Sequence, residues 1–344
     1  MKKQSLLLTF ALVICVLFAK ATVITVSNSP ISGGQYTSAQ TAINAASVDD
    51  TVYLHGTGIS YGNFTISKRI TLIGAGYSPV GTQFVQPTIA GTITLDTVAF
   101  TFPVSGLHII GIEASSFTIS NPINNVHIER CAGSFSYVRG DGWIIEHCLI
   151  SSLYSYSTPT FSSRIIRNNI IYGNSGIGFS SVTNGSGLLI DHNIIQGTIS
   201  YLQYAVITNN VFTFSGIANS TANSFNTYNN NITVNTVPDA IPLTNNSGSG
   251  NINNANPSTV FIGNVTSYQS YPSLLNVNWH LTATSPGHNA ATDGTDIGIY
   301  GGVNPMPNLT GASTLPQMTE LNIQNPSLPV NGTLNYQFKA RKQN

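Results

Sequence analysis

The sequence predicts an all-β solenoid, one chain wound so that short parallel strands stack coil upon coil. Three observations carry this expectation. A short strand ending in Asn or Cys recurs along the middle of the chain: Val126–Cys131 (VHIERC), Ile144–Cys148 (IIEHC), Ile165–Asn169 (IIRNN), Leu189–Asn193 (LIDHN), Val206–Asn210 (VITNN) and a weaker Tyr228–Asn231 (YNNN). Aligned on the last residue, the intervals are 17, 21, 24, 17 and 21 residues, within the range of solenoid repeats. The polar surface is amide and hydroxyl rather than ionic: charged residues are 7% and Asn numbers roughly three dozen of 344 residues, against roughly 25% charged in an average soluble domain. Finally, Ser38 to Ser47 forms an amphipathic helical pattern, with Ala39, Ala42, Ile43 and Ala46 on one side, suited to cover the open end of a stack.

Each unit reads as a β-branched strand, a polar turn and further apolar residues such as Ile170-Ile171, Ile194-Ile195 and Val211-Phe212, with no helical periodicity between them. Leucine-rich repeats would need a leucine framework, and propeller blades need about 40 residues. One coil cannot bury its own apolar face. Stacking coils at about 4.8 Å builds a continuous core and pairs each strand with its equivalents above and below. The turn Asn is expected to do two jobs. It tolerates the left-handed backbone of a tight turn, and its amide bonds the equivalent amide one coil along as a ladder. Cys131 and Cys148 would occupy the N-terminal end of that ladder, either as stacked thiols or as a disulfide.

The remaining composition bounds function. Hydrophobic residues are 41%, too many for strong disorder. Twelve basic residues balance twelve acidic ones, so no basic surplus exists to neutralise the phosphates of a nucleic acid. Residues 1–21 read as an export signal: Lys2 and Lys3, an apolar run from Leu6 to Phe18, and Ala19-Lys20-Ala21 as a cleavage site. Cleavage near Ala21 leaves 9 basic and 12 acidic residues, a formal charge of −3. No later segment is apolar for 18 residues, so no membrane span is expected in the mature chain. The expected location is extracellular or at the cell surface.

After the cap helix, Asp49–Leu54 (DDTVYL), Gly56–Ile66 and Lys68–Gly76 (KRITLIGAG) follow, and Leu107–Ile112 is a further rung with Gly111 in the turn. This order resembles the N-terminal cap of right-handed parallel β-helix proteins of the pectin-lyase-like superfamily. Trp279–Gly302 resembles the closing segment of secreted bacterial members. The resemblance spans roughly residues 22–302 and implies a secreted fold often used on polysaccharides; fold alone does not fix an activity. The expected architecture is therefore a single-stranded right-handed parallel β-helix over 22–302, of roughly a dozen coils at about 20 residues each. A Pro/Gly/Ser/Asn-rich linker is expected at 303–317, then a short C-terminal β segment at 318–344.

The sharpest chemical constellation comes from the repeat alignment. Two positions before the ladder residue stand Glu129, Glu146, Arg167, Asp191 and Thr208; one position later stand Arg130, His147, Asn168, His192 and Asn209. Stacking would set Arg167 between Glu146 and Asp191 on an outward column. As catalysts, Arg167 would neutralise or deprotonate an acidic sugar with a carboxylate, His147 or His192 as partner. Glu146 and Asp191, two coils apart at about 10 Å, approach the upper spacing of inverting glycosidases. The plainer reading is a salt-bridge ladder worth at most about 1 kcal/mol per exposed pair. The resemblance weakens the catalytic reading. Pectate lyases use clustered Asp for calcium with an Arg base, and polygalacturonases use close aspartates with a His and Arg-x-Lys; neither set is present here.

No cofactor and no metal site is expected. Asp293 and Asp296 offer two carboxylates where calcium takes six to eight oxygens, and read as turn residues. His127, Glu129 and Cys131 alternate on one strand and so share a side, but a zinc site needs further ligands. Tyr137, Tyr154, Tyr156, Tyr172, Tyr201 and Tyr204 lie near the rungs, either packed or projecting to stack on sugars. The leading expectation is a secreted, non-catalytic protein that binds polysaccharide or has a structural role at the cell surface. The alternative is a polysaccharide lyase or glycoside hydrolase using the Arg167 column.

Overall fold

The computed structural model describes residues 21–31, 33–78, 86–96, 105–155, 163–214, 222–234, 240–307, 309–311, 317–324, 327 and 332–341. The expected export signal lies almost wholly outside them. The chain forms a parallel β-solenoid of about 8 turns. One sheet holds ten parallel strands, from Val23–Val26 through Thr51–Leu54 and Thr71–Ile73 to Thr227–Asn229. A second holds twelve: ten along its path, from Phe64–Ile66 to Ile252–Ala255, and two, Ile177–Asn184 and Ile199–Gln203, attached beside it. Among the described residues no helix is long and apolar enough to cross a membrane.

The register is the one the repeat predicts. Glu129 pairs with Glu146, Glu146 with Arg167, Arg167 with Asp191 and Asp191 with Thr208. One residue earlier, Ile128, Ile145, Ile166, Ile190 and Ile207 form an inward aliphatic column, all buried. Burying each such side chain contributes about 1.5–3 kcal/mol. Inward residues of the second sheet stack likewise, as Phe117 does on Phe135 with ring centroids 4.8 Å apart.

The amide ladder joins the two sheets at their shared corner. Cys148 N donates to Asn169 Oδ1 (2.9 Å), Asn169 Nδ2 to Asn193 Oδ1 (3.0 Å), Asn193 Nδ2 to Asn210 Oδ1 (2.9 Å), Asn210 Nδ2 to Asn231 Oδ1 (3.0 Å) and Asn231 Nδ2 to Asn251 Oδ1 (3.1 Å). The two jobs expected of one Asn fall on two residues. The left-handed positions are the preceding ones: Arg130, His147, Asn168, His192, Asn209 and Asn230, with φ of 56°, 55°, 51°, 52°, 57° and 49°. Cys131 and Cys148 are free, buried thiols that continue the ladder, Cys131 N donating to Cys148 Sγ at 3.4 Å. Burial pushes the Cys131 thiol up to about 12 and Cys148 upward as well, so neither is a ready nucleophile.

Helix α1 (Ala39–Ala45) is N-capped by Ser38 and buries Ala39, Ala42 and Ile43, packing on the first strands at the end of the stack. At the other end the expectation needs correction. The solenoid has about 8 turns rather than a dozen, because the chain leaves the stack after Ala255 and packs back along it. The segment expected as a linker is docked in its first half: Met306 is buried, and Ser78 N donates to Thr310 O at 2.9 Å. Gln317–Ile323 and Tyr336–Arg341 form an antiparallel pair.

Candidate functional site

The returning segment, residues 290–307 and 309–311, is a strap laid over the left-handed corner residues. Asn230 Nδ2 donates to Ala290 O (2.8 Å), Asn209 Nδ2 to Thr292 Oγ1 (2.9 Å), and Asn168 Nδ2 to both Ile299 O and Gly301 O (2.9 Å each). Gly301 and Gly302 lie against the His192 ring, where any side chain at Gly301 would overlap Asp296 O. His147 Nε2 donates to Asn304 O at 2.8 Å. A tight αL corner exposes side-chain donors away from the core, and an irregular segment supplies carbonyls to meet them.

The strap decides the fate of the predicted column. Glu146 faces away from the core yet is buried, at 3% exposure. Its carboxylate accepts from His127 Nε2 (2.8 Å), Arg167 Nε (2.7 Å) and Asn304 Nδ2 (2.8 Å). Burial raises its pKa, but these bonds and the Arg167 charge outweigh that and hold it at about 2. A carboxylate so strongly ionised and fully bonded is a poor proton donor or acceptor near neutral pH. Asp191 does not join it: Asp191 Oδ1 accepts from Asn209 Nδ2 at 2.9 Å and lies 2.8 Å from His192 Nδ1. Among the described residues, Glu146 and Asp191 share no ion pair or hydrogen bond. His147 and His192 are buried beneath the strap, and burial lowers the His147 pKa against the opposing effects of Asn304 and Glu146.

Upstream of Glu146 the outward column continues into a cluster that includes a residue the repeat alignment did not single out. His108 stacks on His127, with parallel rings (4°) and centroids 4.4 Å apart. His108 Nε2 lies 3.3 Å from Glu129 Oε1. Cys131 does not share this side: the left-handed Arg130 turns the chain, so Cys131 points into the core while His127 and Glu129 face outward. The rung Leu107–Ile112 ends in Gly-Ile rather than Asn or Cys, which hid its alignment; His one residue after its first apolar position was the available signal.

The other expected features settle simply. Asp293 Oδ1 accepts from Thr295 N (3.1 Å), and Asp296 Oδ1 from Asn289 N (2.9 Å), as turn residues do. Tyr137, Tyr154, Tyr201 and Tyr204 are exposed, Tyr172 is partly buried, and Tyr156 lies outside the described residues. Outside the strap runs an open groove of about 950 Å³, lined among others by Asn276, Asn278, His280, Asp296, Tyr300 and Pro305. His280 and Tyr300 stack there with centroids 3.7 Å apart.

The fold and corner geometry define a parallel β-solenoid with an amide ladder. Comparison with protein-family models and with curated proteins gives no match.

Proposed function

We propose that the protein is an exported β-helix of the pectin-lyase-like kind that holds polysaccharide without turning it over. The observation that carries this reading is the state of the Arg167 column. Glu146 is saturated by three donors, and the two histidines lie under the strap, so its proton-transfer groups are committed to structure. The groove at His280 and Tyr300 offers what a sugar needs: ring surface for C–H faces and amides for hydroxyls. Export rests on the pattern of residues 1–21. A panel of acidic and neutral polysaccharides tests the reading. The expected result is binding without turnover, weakened about tenfold or more by Tyr300→Ala and unchanged by Arg167→Ala. Turnover that Arg167→Ala abolishes would overturn it in favour of a lyase or hydrolase.

A further inference from the structure

Three neighbouring rungs of the first sheet, His108–Ile110, His127–Glu129 and Trp143–Glu146, lie parallel and in register, with His127 beside His108 and Glu146 beside Glu129. On a strand, residues two apart face the same side, so His127 and Glu129 point outward together and the flanking rungs add His108 and Glu146. Each histidine leans diagonally onto the carboxylate one coil ahead: His108 Nε2 to Glu129 Oε1 at 3.3 Å, His127 Nε2 to Glu146 Oε1 at 2.8 Å. The two contacts are not equivalent. His127 makes a hydrogen bond. His108 Nε2 is shielded from solvent and, among the described residues, has the 3.3 Å ion pair with Glu129 but no well-aligned hydrogen bond. A shielded ring nitrogen held only by a loose, poorly aligned ion pair is a donor atom that can turn toward an ion lying beside the pair.

We propose that His108, His127 and Glu129 form a binding site for a borderline divalent transition ion, with Zn²⁺ the best fit. One ligand atom from each residue lies within 4.8 Å of the other two. Two imidazole nitrogens and a carboxylate oxygen fill three of the four positions of a tetrahedral ion and leave the fourth to water. Calcium and magnesium are disfavoured, because they take oxygen ligands. Zinc bonds of about 2.0–2.1 Å set the edge of the tetrahedron near 3.4 Å. The donors must therefore close by about 1 Å or less each, a rotation open to side chains that are partly exposed: 30% for His108, 31% for His127 and 18% for Glu129. The ion would take the place of the His127 Nε2 proton now given to Glu146. Glu146 keeps Arg167 and Asn304 on its other oxygen and remains as a second carboxylate beside the ion. Backbone pairing of the two rungs that carry the ligands fixes their spacing before any ion arrives, so little ordering cost attends binding.

The test uses the full chain after chelator treatment, titrated with ZnCl₂ in a calorimeter and with CoCl₂ by visible absorption. The expected result is one ion per chain at micromolar or tighter affinity, Co²⁺ bands of a four-coordinate site, and no displacement by a hundredfold excess of Ca²⁺. His108→Gln and His127→Gln should each weaken binding at least tenfold, whereas His280→Gln, in the groove, should leave it unchanged. Far-UV circular dichroism reports whether each variant keeps its strands. Glu129→Gln, which preserves shape at a partly exposed position, gives the same expected loss should a histidine variant fail to fold. Absence of saturable uptake below about 100 µM, or uptake that survives in a folded His108→Gln/His127→Gln double variant, would overturn the proposal.

Discussion

Replacing Asn193 with Ala interrogates the ladder at its middle. Asn193 is fully buried. Its Oδ1 accepts from Asn169 N and Asn169 Nδ2 (3.0 Å each), and its Nδ2 donates to Ile166 O (2.9 Å), Asp191 O (3.0 Å) and Asn210 Oδ1 (2.9 Å). After substitution Asn169 Nδ2 keeps Ile145 O, and Asn210 Oδ1 keeps the Asn193 backbone amide. The Asn169 backbone N–H then has no remaining partner in the ladder, and Ile166 O loses the corner donor. Each buried polar group deprived of a partner costs about 1–3 kcal/mol. The expected destabilisation is therefore about 2–6 kcal/mol, read by urea denaturation at neutral pH. Hydrogen exchange should localise the loss, with the Asn169 amide exchanging faster than those of Val52 and Leu54 near the cap. The backbone gives no offset, because the left-handed residue is His192. Cys148→Ala, which removes only weak sulfur contacts, with Cys131 N (3.4 Å), Ile128 O (3.7 Å) and Glu146 O (3.1 Å), should cost less. An Asn193→Ala loss under about 1 kcal/mol, or one no larger than that of Cys148→Ala, would refute the ladder as a source of stability.

Three further outcomes follow from the same geometry. Glu146 ionises in the folded chain at about 2, against an ordinary value of 4.5; a depressed carboxylate contributes stability that is present above the ordinary value and lost as pH falls through the folded one. Stability should therefore decline between about pH 4.5 and 2, and Glu146→Gln should flatten that acid limb in pH-dependent denaturation. Cys131 and Cys148 should resist iodoacetamide in the native protein and give two free thiols by mass spectrometry after denaturation, since both are buried with raised pKa values. Met306→Ala should cost about 2–4 kcal/mol of local stability and open the chain near 303–311 to limited proteolysis, because Met306 is a buried anchor of the strap.

Much of the stack was legible because its order is local and repeated. The Asn and Cys positions fix the register, and register alone places Glu129, Glu146, Arg167, Asp191 and Thr208 in one row. The opening strand Val23–Val26 was not anticipated, although its β-branched VITV is a fair strand pattern. What the repeat could not convey was burial. Glu146 reads as outward by strand alternation, and among the groups that cover it is Asn304, 158 residues later. The strap has no period to detect. Many of its contacts are backbone carbonyls meeting corner side chains, joined by the single side chains of Thr292, Asn304 and Met306, which leave no periodic apolar pattern. The division of labour between Asn168 and Asn169 was equally hidden, since an Asn-Asn pair looks the same whichever residue turns and whichever bonds.

A pile of coils held only by nearest neighbours can shed its last member without troubling its first. Here residues near 290 fasten to the corner at Asn230 while residues near 310 fasten beside Tyr77, so one length of chain is tacked along most of the column. Peeling from either tip must first unpick that seam. The closing contacts also join residues far apart in sequence, which makes their formation late and slow. Once sewn, the column should come apart as a whole rather than coil by coil.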